Sequence, residues 1–443
     1  MQTIGRFQLI LFCAVLGLGT GNDATKARAA EYPADEVIEI TEPSEKARQF
    51  YLGNQWIWAG SELISMTIPL IILLSPLNGW FEKRAWALGM GYRVPAIVLF
   101  VAMLLVFSFL LRLPWSFGFG FMRLKYYGLA TNSGLAWLAD ALKSLAVMVV
   151  IQGLIAAVIW GFLMVRSPGN WWFFTAAGTM PFLIAGVFLM PLVIDPLFNK
   201  FGPMTDKKLE AEILALAGRT GVGQSRVFEV DKSRQTKAVN AYVTGMFGSK
   251  RIVLWDTLLK AMPPREVKSV VAHELGHYVL GHVRLGVLIG GISAFGGMFL
   301  LNVASGWAVG RWGNWLGIES LANLKAIPLV VLLASAGELG MAPVSNAISR
   351  YMEHEADRFA IELTRDPAAF SKAFLTLQKE NLSVPFPGWV YRTWRATHPS
   401  IGERIAFANG YRPWLEGRAG QYDTLIGLEQ IRDSGDNAAN AGK

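Results

Sequence analysis

Six apolar runs govern what this chain can become. They lie near residues 57–76, 95–111, 143–165, 172–195, 284–309 and 326–345, and each is long enough to cross a bilayer. Hydrocarbon offers no partner to a backbone amide, so runs of this length must close their hydrogen bonds internally and form helices. The composition agrees: 53% of the 443 residues are hydrophobic and 17% charged, the balance of a polytopic membrane protein with a polar part attached. Trp56, Trp58, Trp80, Trp160, Trp171, Trp172 and Trp307 fall at or near the ends of the runs, where indole rings anchor in the headgroup layer. Pro69, Pro181, Pro191 and Pro328 are expected to kink or end helices. Glu62 and Glu338 lie within the runs, where a carboxylate either faces a wet interior or reaches for the headgroups.

The net charge of +8 fits cytoplasmic-side loops and contact with anionic lipid. No basic run with interleaved aromatics stands out, so no nucleic-acid partner is expected. Cys13 is the single cysteine, which excludes a disulfide or a thiolate metal site within the chain. Any metal must rest on histidine and carboxylate. At the N-terminus, Arg6, an apolar stretch over residues 7–19 and "ARAA" near Ala30 form the pattern of a secretory signal peptide. The alternative there is a short first membrane helix.

The chemistry is concentrated between the apolar runs. Residues 207–216 read as a helix, and "RVFEV" (226–230), "NAYVTGMF" (240–247) and "RIVLW" (251–255) read as strands. A helix expected from about Arg265 then carries "VVAHELGHYVLGH", residues 270–282, with three of the chain's five histidines. His273 and His277, four apart, share one helical face and can share a tetrahedral zinc ion. Glu274 projects about 100° away, so it can reach a water at the metal but not the metal itself. This is the H-E-x-x-H arrangement of two ligands and a general base. His282 reads as structural rather than as a ligand.

Such a site needs a third protein ligand and an open fourth position. The cluster "YMEHEAD" offers Glu353 and Asp357, which share a helical face, while His354 and Glu355 point elsewhere. One of the pair could bind metal and the other orient a ligand; spacing alone does not separate them. The competing reading is a non-catalytic membrane scaffold or transporter with a structural zinc. Glu274, and the want of a cysteine or spare histidine placed to close the site, argue for hydrolysis instead.

Together "HELGHYVLGH", "SRYMEHEAD", "NAYVTGMFGSKRIVLWDTLL", "DPLFNKFGP" and "THPSIGERI" resemble the CAAX prenyl protease type I family of integral-membrane zinc metalloproteases, from about residue 45 to 410. The resemblance implies a mainly α fold: a polytopic helical bundle enclosing a chamber, capped by a zincin-type α+β protease domain. It implies one Zn2+ per chain, with Glu353 as the third ligand and Asp357 as its orienting partner. It implies that Asn240 helps hold the substrate backbone and that His398 and Arg404 approach the scissile carbonyl; His398 is then the candidate donor to the developing oxyanion. Ala238 and Val239 stand where relatives that process prenylated proteins commonly have histidine and serine. The expected substrates are therefore unfolded or membrane-associated polypeptides, with C-terminal CAAX-type substrates implied by the resemblance.

The expected organisation is a signal peptide or short first helix over 1–30, membrane helices over 31–196, and a protease domain with edge strands and the HExxH helix over 197–283. A membrane helix pair over 284–345 follows, then a C-terminal helical part with the third ligand and a disordered tail over 346–443. Short loops on one side hold Lys83, Arg84, Arg93, Arg166, Arg311 and Lys325. The signal-peptide pattern suggests a bacterial inner-membrane protein, and with it that bias predicts an extracytoplasmic protease domain, although the loop 112–142 on the other side also carries Arg112, Arg123 and Lys125.

Overall fold

A computed structural model describes residues 33–222, 225–244 and 251–427. The signal-peptide reading of residues 1–30 and the tail 433–443 lie outside the described residues. Each of the six apolar runs is a helix, and each helix is longer than its run: Glu45–Leu74, Arg93–Tyr126, Gly134–Arg166, Trp171–Phe198, His282–Leu316 and Leu324–Thr364. These are spans one to six. The apolar window marks only the part of each rod that hydrocarbon would surround.

Two consequences correct the sequence reading. The expected boundary at 345/346 falls inside one continuous helix, Ile327–Thr364, with Pro343 in its interior. Arg112 lies not in a loop but within span two, in Coulombic reach of Glu62 on span one. Arg123, near the end of the same span, donates to Asn54 Oδ1 (2.6 Å) and the Phe50 carbonyl (2.8 Å) of span one. An apolar scan stops at a charge, but a charge inside the bundle persists where an opposite partner or carbonyl receives it.

The spans pack neighbour to neighbour in chain order, and the sixth returns to the first. Six helices spaced about 8–10 Å apart in a ring surround a space about one helix wide, so the wall encloses a chamber. At one end the ring is filled. Ile72, Phe81, Phe100, Trp160, Trp171 and Leu324 belong to one buried cluster there. The helix Leu77–Leu88 contributes to it, and Arg93 binds it by donating to the Trp160 and Ala322 carbonyls. Three wide π-type turns, Ser116–Met122, Ile159–Leu163 and Met190–Ile194, interrupt spans two, three and four.

The protease domain stands at the other end. Its sheet has the order β1 (Phe201–Pro203), β2 (Arg226–Val230), β4 (Arg251–Trp255), β3 (Ala241–Thr244). β1 and β3 run antiparallel to their neighbours, and β2 and β4 are parallel. β1 was not expected from sequence, because three residues carry no period. Residues 245–247 of the expected second strand lie outside the described residues. Helix Lys207–Gly218, capped by Asp206, and the HELGH helix Pro264–Val279 bury their apolar faces on the sheet. Ile213, Leu254, Val271, Leu275, Phe359 and Ile405 share that core. A strap over residues 34–41 crosses the domain: Ile38 exchanges hydrogen bonds with Asn409, and Gln378 donates to the Thr41 carbonyl. The segment leading into span one therefore lies on the same side of the bilayer as the protease domain.

Candidate metal centre

The HELGH helix packs against the membrane-distal half of helix Ile327–Thr364, and the site forms where they cross. Gly276 permits the approach. A Cβ on it would lie 3.2 Å from the Ala356 Cα and 3.2 Å from the Ala356 carbonyl oxygen. The close crossing brings His273, His277 and Glu353 together, with one donor atom from each within 4.8 Å of the others. His273 Nε2 is 3.1 Å from His277 Nε2 and 3.2 Å from Glu353 Oε2, and His277 Nε2 is 3.4 Å from Glu353 Oε1. Donors around one tetrahedral ion at about 2.0–2.2 Å stand about 3.3–3.6 Å apart.

The groups behind the donors fit a cation as well. His273 Nδ1 meets Asp357 Oδ1 at 2.9 Å, which places its proton there and turns the Nε2 lone pair inward. His277 Nδ1 lies 2.9 Å from His282 Nδ1. A proton on His277 serves that contact and again leaves Nε2 as an acceptor. Two lone pairs and a carboxylate oxygen thus converge, a set that repels itself unless positive charge lies between. Burial lowers the basicity of His273, but the bonds to Asp357 and Glu353 outweigh it and raise the imidazole to about 9. Burial likewise pushes the Glu274 carboxyl up, against the pull of His273 and His277.

Sequence reasoning placed several further residues here. His398 does arrive: its Nε2 is 3.2 Å from Glu353 Oε1, while its Nδ1 contacts Thr397 Oγ1 at 2.8 Å. Arg404 also arrives, behind the donors, its Nη2 3.3 Å from His273 Nδ1 and 3.9 Å from Glu353 Oε2. Its buried guanidinium donates from Nε to Asp357 Oδ2 at 2.8 Å and from Nη2 to Oδ1, stacked 3.9 Å from the Phe374 ring. Asp357 is fully buried between Arg404 and His273. Glu355 faces away, bound to Arg358 (2.6 Å) and Gln421 (3.0 Å), and His354 lies tilted against the Phe407 ring. Asn240 precedes β3, its carbonyl accepting from the Trp255 amide at 3.2 Å. β3 is an edge strand, and it runs beside the HELGH helix. The support that His282 gives His277 was not legible in sequence. Gly281, in the left-handed region at φ 70°, ends the helix and folds His282 back.

Comparisons with known proteins match the chain in two parts that meet near residue 200. Residues 26–200 match the family described as CAAX prenyl protease N-terminal, five membrane helices, and residues 203–412 match peptidase family M48. A Bacillus subtilis metalloprotease, YhfN, is 35% identical over 392 residues, covering 87% of this chain and 90% of its own. The chain belongs to peptidase family M48. The M48 similarity extends to the human CAAX prenyl protease 1 homolog, 28% identical over 83% of this chain and 86% of that protein. The crystal structure of S. mikatae Ste24p superposes with a TM-score of 0.69 at 25% identity, covering 82% of this chain and 87% of that one. This M48 member is a multi-pass membrane metalloendopeptidase, with six helices among the described residues long and apolar enough to span a bilayer, and it acts on polypeptides.

Proposed function

We propose that His273, His277 and Glu353 hold one zinc ion, that Glu274 is the general base, and that the substrates are unfolded or membrane-associated polypeptides. The convergence of three donor atoms beside Glu274 carries this reading. A zinc ion held there would polarise the scissile carbonyl and make water in the open fourth position more acidic. Glu274 accepts the proton of the attacking water and passes it to the departing amine. His398, at the edge of Glu353, donates to the developing oxyanion. Asp357 orients His273, and Arg404 acts through Asp357 as a positioning residue rather than on the scissile carbonyl.

Among the described residues β3 is an edge strand, and it can offer its backbone to an extended peptide, with Asn240 at its start. Pairing of that kind selects unfolded segments over folded loops. Ala238 and Val239 precede Asn240 in place of the histidine and serine associated with prenylated substrates, so we assign no requirement for a prenyl group. CAAX-type C-termini remain within the chemistry, since relatives bear that name. The strap places residues 34–41 and the protease domain on one side of the bilayer. With Arg112 and Arg123 withdrawn into the bundle, the positive loops lie mostly on the other side. We therefore propose an inner-membrane enzyme of a bacterial envelope with its active site extracytoplasmic.

Glu274→Gln tests the mechanism. The variant should keep its zinc and lose cleavage of a quenched-fluorescent unfolded peptide by a factor on the order of 10²–10⁴. Cleavage at the parental rate by the purified variant would overturn the assignment.

A further inference from the structure

The motif "DPLFNKFGP" resembles the family's but has no part in the hydrolytic chemistry. Its first residue, Asp195, is a buried carboxylate in the last turns of span four. The Tyr242 hydroxyl donates to Asp195 Oδ2 at 3.3 Å. Tyr242 lies on β3. Tyr242 packs at the margin of the protease core, and its hydroxyl end reaches across to the membrane helix. Burial and the facing carboxylate push its phenol up, so it stays a donor.

Around this bond the end of span four is bracketed to the loop before β3. Arg234 Nη2 and Gln235 Nε2 donate to the Phe198 carbonyl at 2.7 and 3.0 Å. Gln235 Nε2 also reaches Asp140 Oδ2 of span three at 3.2 Å, and Thr131 Oγ1 donates to the Ser233 carbonyl at 2.9 Å. Lys232 is buried within Coulombic reach of Asp195, its ammonium 4.9 Å from the Trp255 ring. The bracket holds the loop; the Asp195–Tyr242 bond holds the strand itself. β4 fixes β3 within the sheet, but a peptide emerging from the chamber needs β3 fixed to the chamber's rim.

We infer that Asp195, acting through the Tyr242 hydroxyl, is a positioning residue that fixes the edge strand to the rim of the chamber and so sets which peptide bond of an extended substrate meets the metal centre. The inference rests on the reading that substrate pairs with β3. A strand offset by one residue, about 3.3 Å, presents the neighbouring bond. Loss of the tether therefore blurs the cleavage position and weakens binding, while the metal and Glu274 keep their chemistry.

The test uses full-length enzyme in detergent and a quenched-fluorescent peptide whose products are mapped by mass spectrometry. Tyr242→Phe and Asp195→Ala should each raise KM about fivefold with kcat within about twofold, and should spread cleavage over adjacent bonds. The double variant should match either single one, because both remove one bond. Asp195→Asn, which keeps an acceptor oxygen, should restore most of the binding. A parental KM and a single cleavage position in folded Tyr242→Phe would overturn the inference, as would a loss confined to kcat with loss of zinc. Peptides N-methylated at successive backbone amides test the underlying reading separately. If the parental enzyme cleaves them all equally, strand pairing itself fails; if it discriminates among them but ignores both substitutions, only the tether fails.

Discussion

Gly276→Ala should weaken metal binding without touching a ligand. The added methyl would meet the Ala356 Cα, the Ala356 carbonyl oxygen and the Phe359 Cδ1, each at 3.2 Å. Comfortable carbon contacts fall at about 3.5–4.0 Å, and two of the three neighbours are backbone that cannot rotate aside. The HELGH helix must therefore retreat from helix Ile327–Thr364 by a few tenths of an ångström. Metal sites tolerate about ±0.2 Å in their ligand distances. The retreat moves His273 and His277 with one helix and leaves Glu353 on the other, so zinc affinity should fall about 10–100-fold, or about 1.4–2.7 kcal/mol. Folding stability should move less, because overpacking costs about 1–3 kcal/mol while alanine in a helix returns about 1 kcal/mol relative to glycine. Competition with graded chelator measures the affinity, and a thermal melt of the metal-free protein measures the fold. Zinc affinity within twofold of the parent in a folded variant would refute the claim that this crossing sets the ligand spacing.

Other substitutions separate the acidic residues. Glu353→Ala should lose most of its zinc by elemental analysis, whereas Glu355→Ala, whose carboxylate binds Arg358, should keep it; full zinc in Glu353→Ala would move the ligand elsewhere. Asp357→Ala should weaken zinc by about 10–100-fold and leave the buried Arg404 without its carboxylate. Alkaline phosphatase fused after Lys443 should be active and green fluorescent protein there dark; the reverse pattern would put the active site in the cytosol. In a peptide panel, cleavage should not require a C-terminal prenylated cysteine, and strict dependence on one would contradict the assigned substrates.

The spans were legible because hydrocarbon imposes length and polarity on any helix that crosses it. Their ends were not, since beyond the bilayer helix length is set by packing: span six continues through Glu353 to Thr364 without an apolar signal. The pairing of His273 with His277 followed from helical period. The place of Arg404 did not, because its contact with Asp357 joins residues 47 positions apart through a separate helix. Its positive charge suited a substrate contact equally well on paper. β1 and the three wide turns left no period to read, and Gly276 looked like any glycine until the facing helix was in place.

The unbroken helix Ile327–Thr364 makes residue count a structural quantity. It begins in the closed end of the ring and carries Glu353 on the same rod, with no loop between to take up slack. Deleting one residue between Val330 and Glu353 would draw the carboxylate back by about 1.5 Å and swing it by about 100°, off the face that His273 and His277 share. Inserting one would do the reverse. A turn connecting two other spans can gain or lose a residue and readjust. Along this helix a single-codon insertion or deletion should abolish metal binding, even though many substitutions on its lipid side leave it intact.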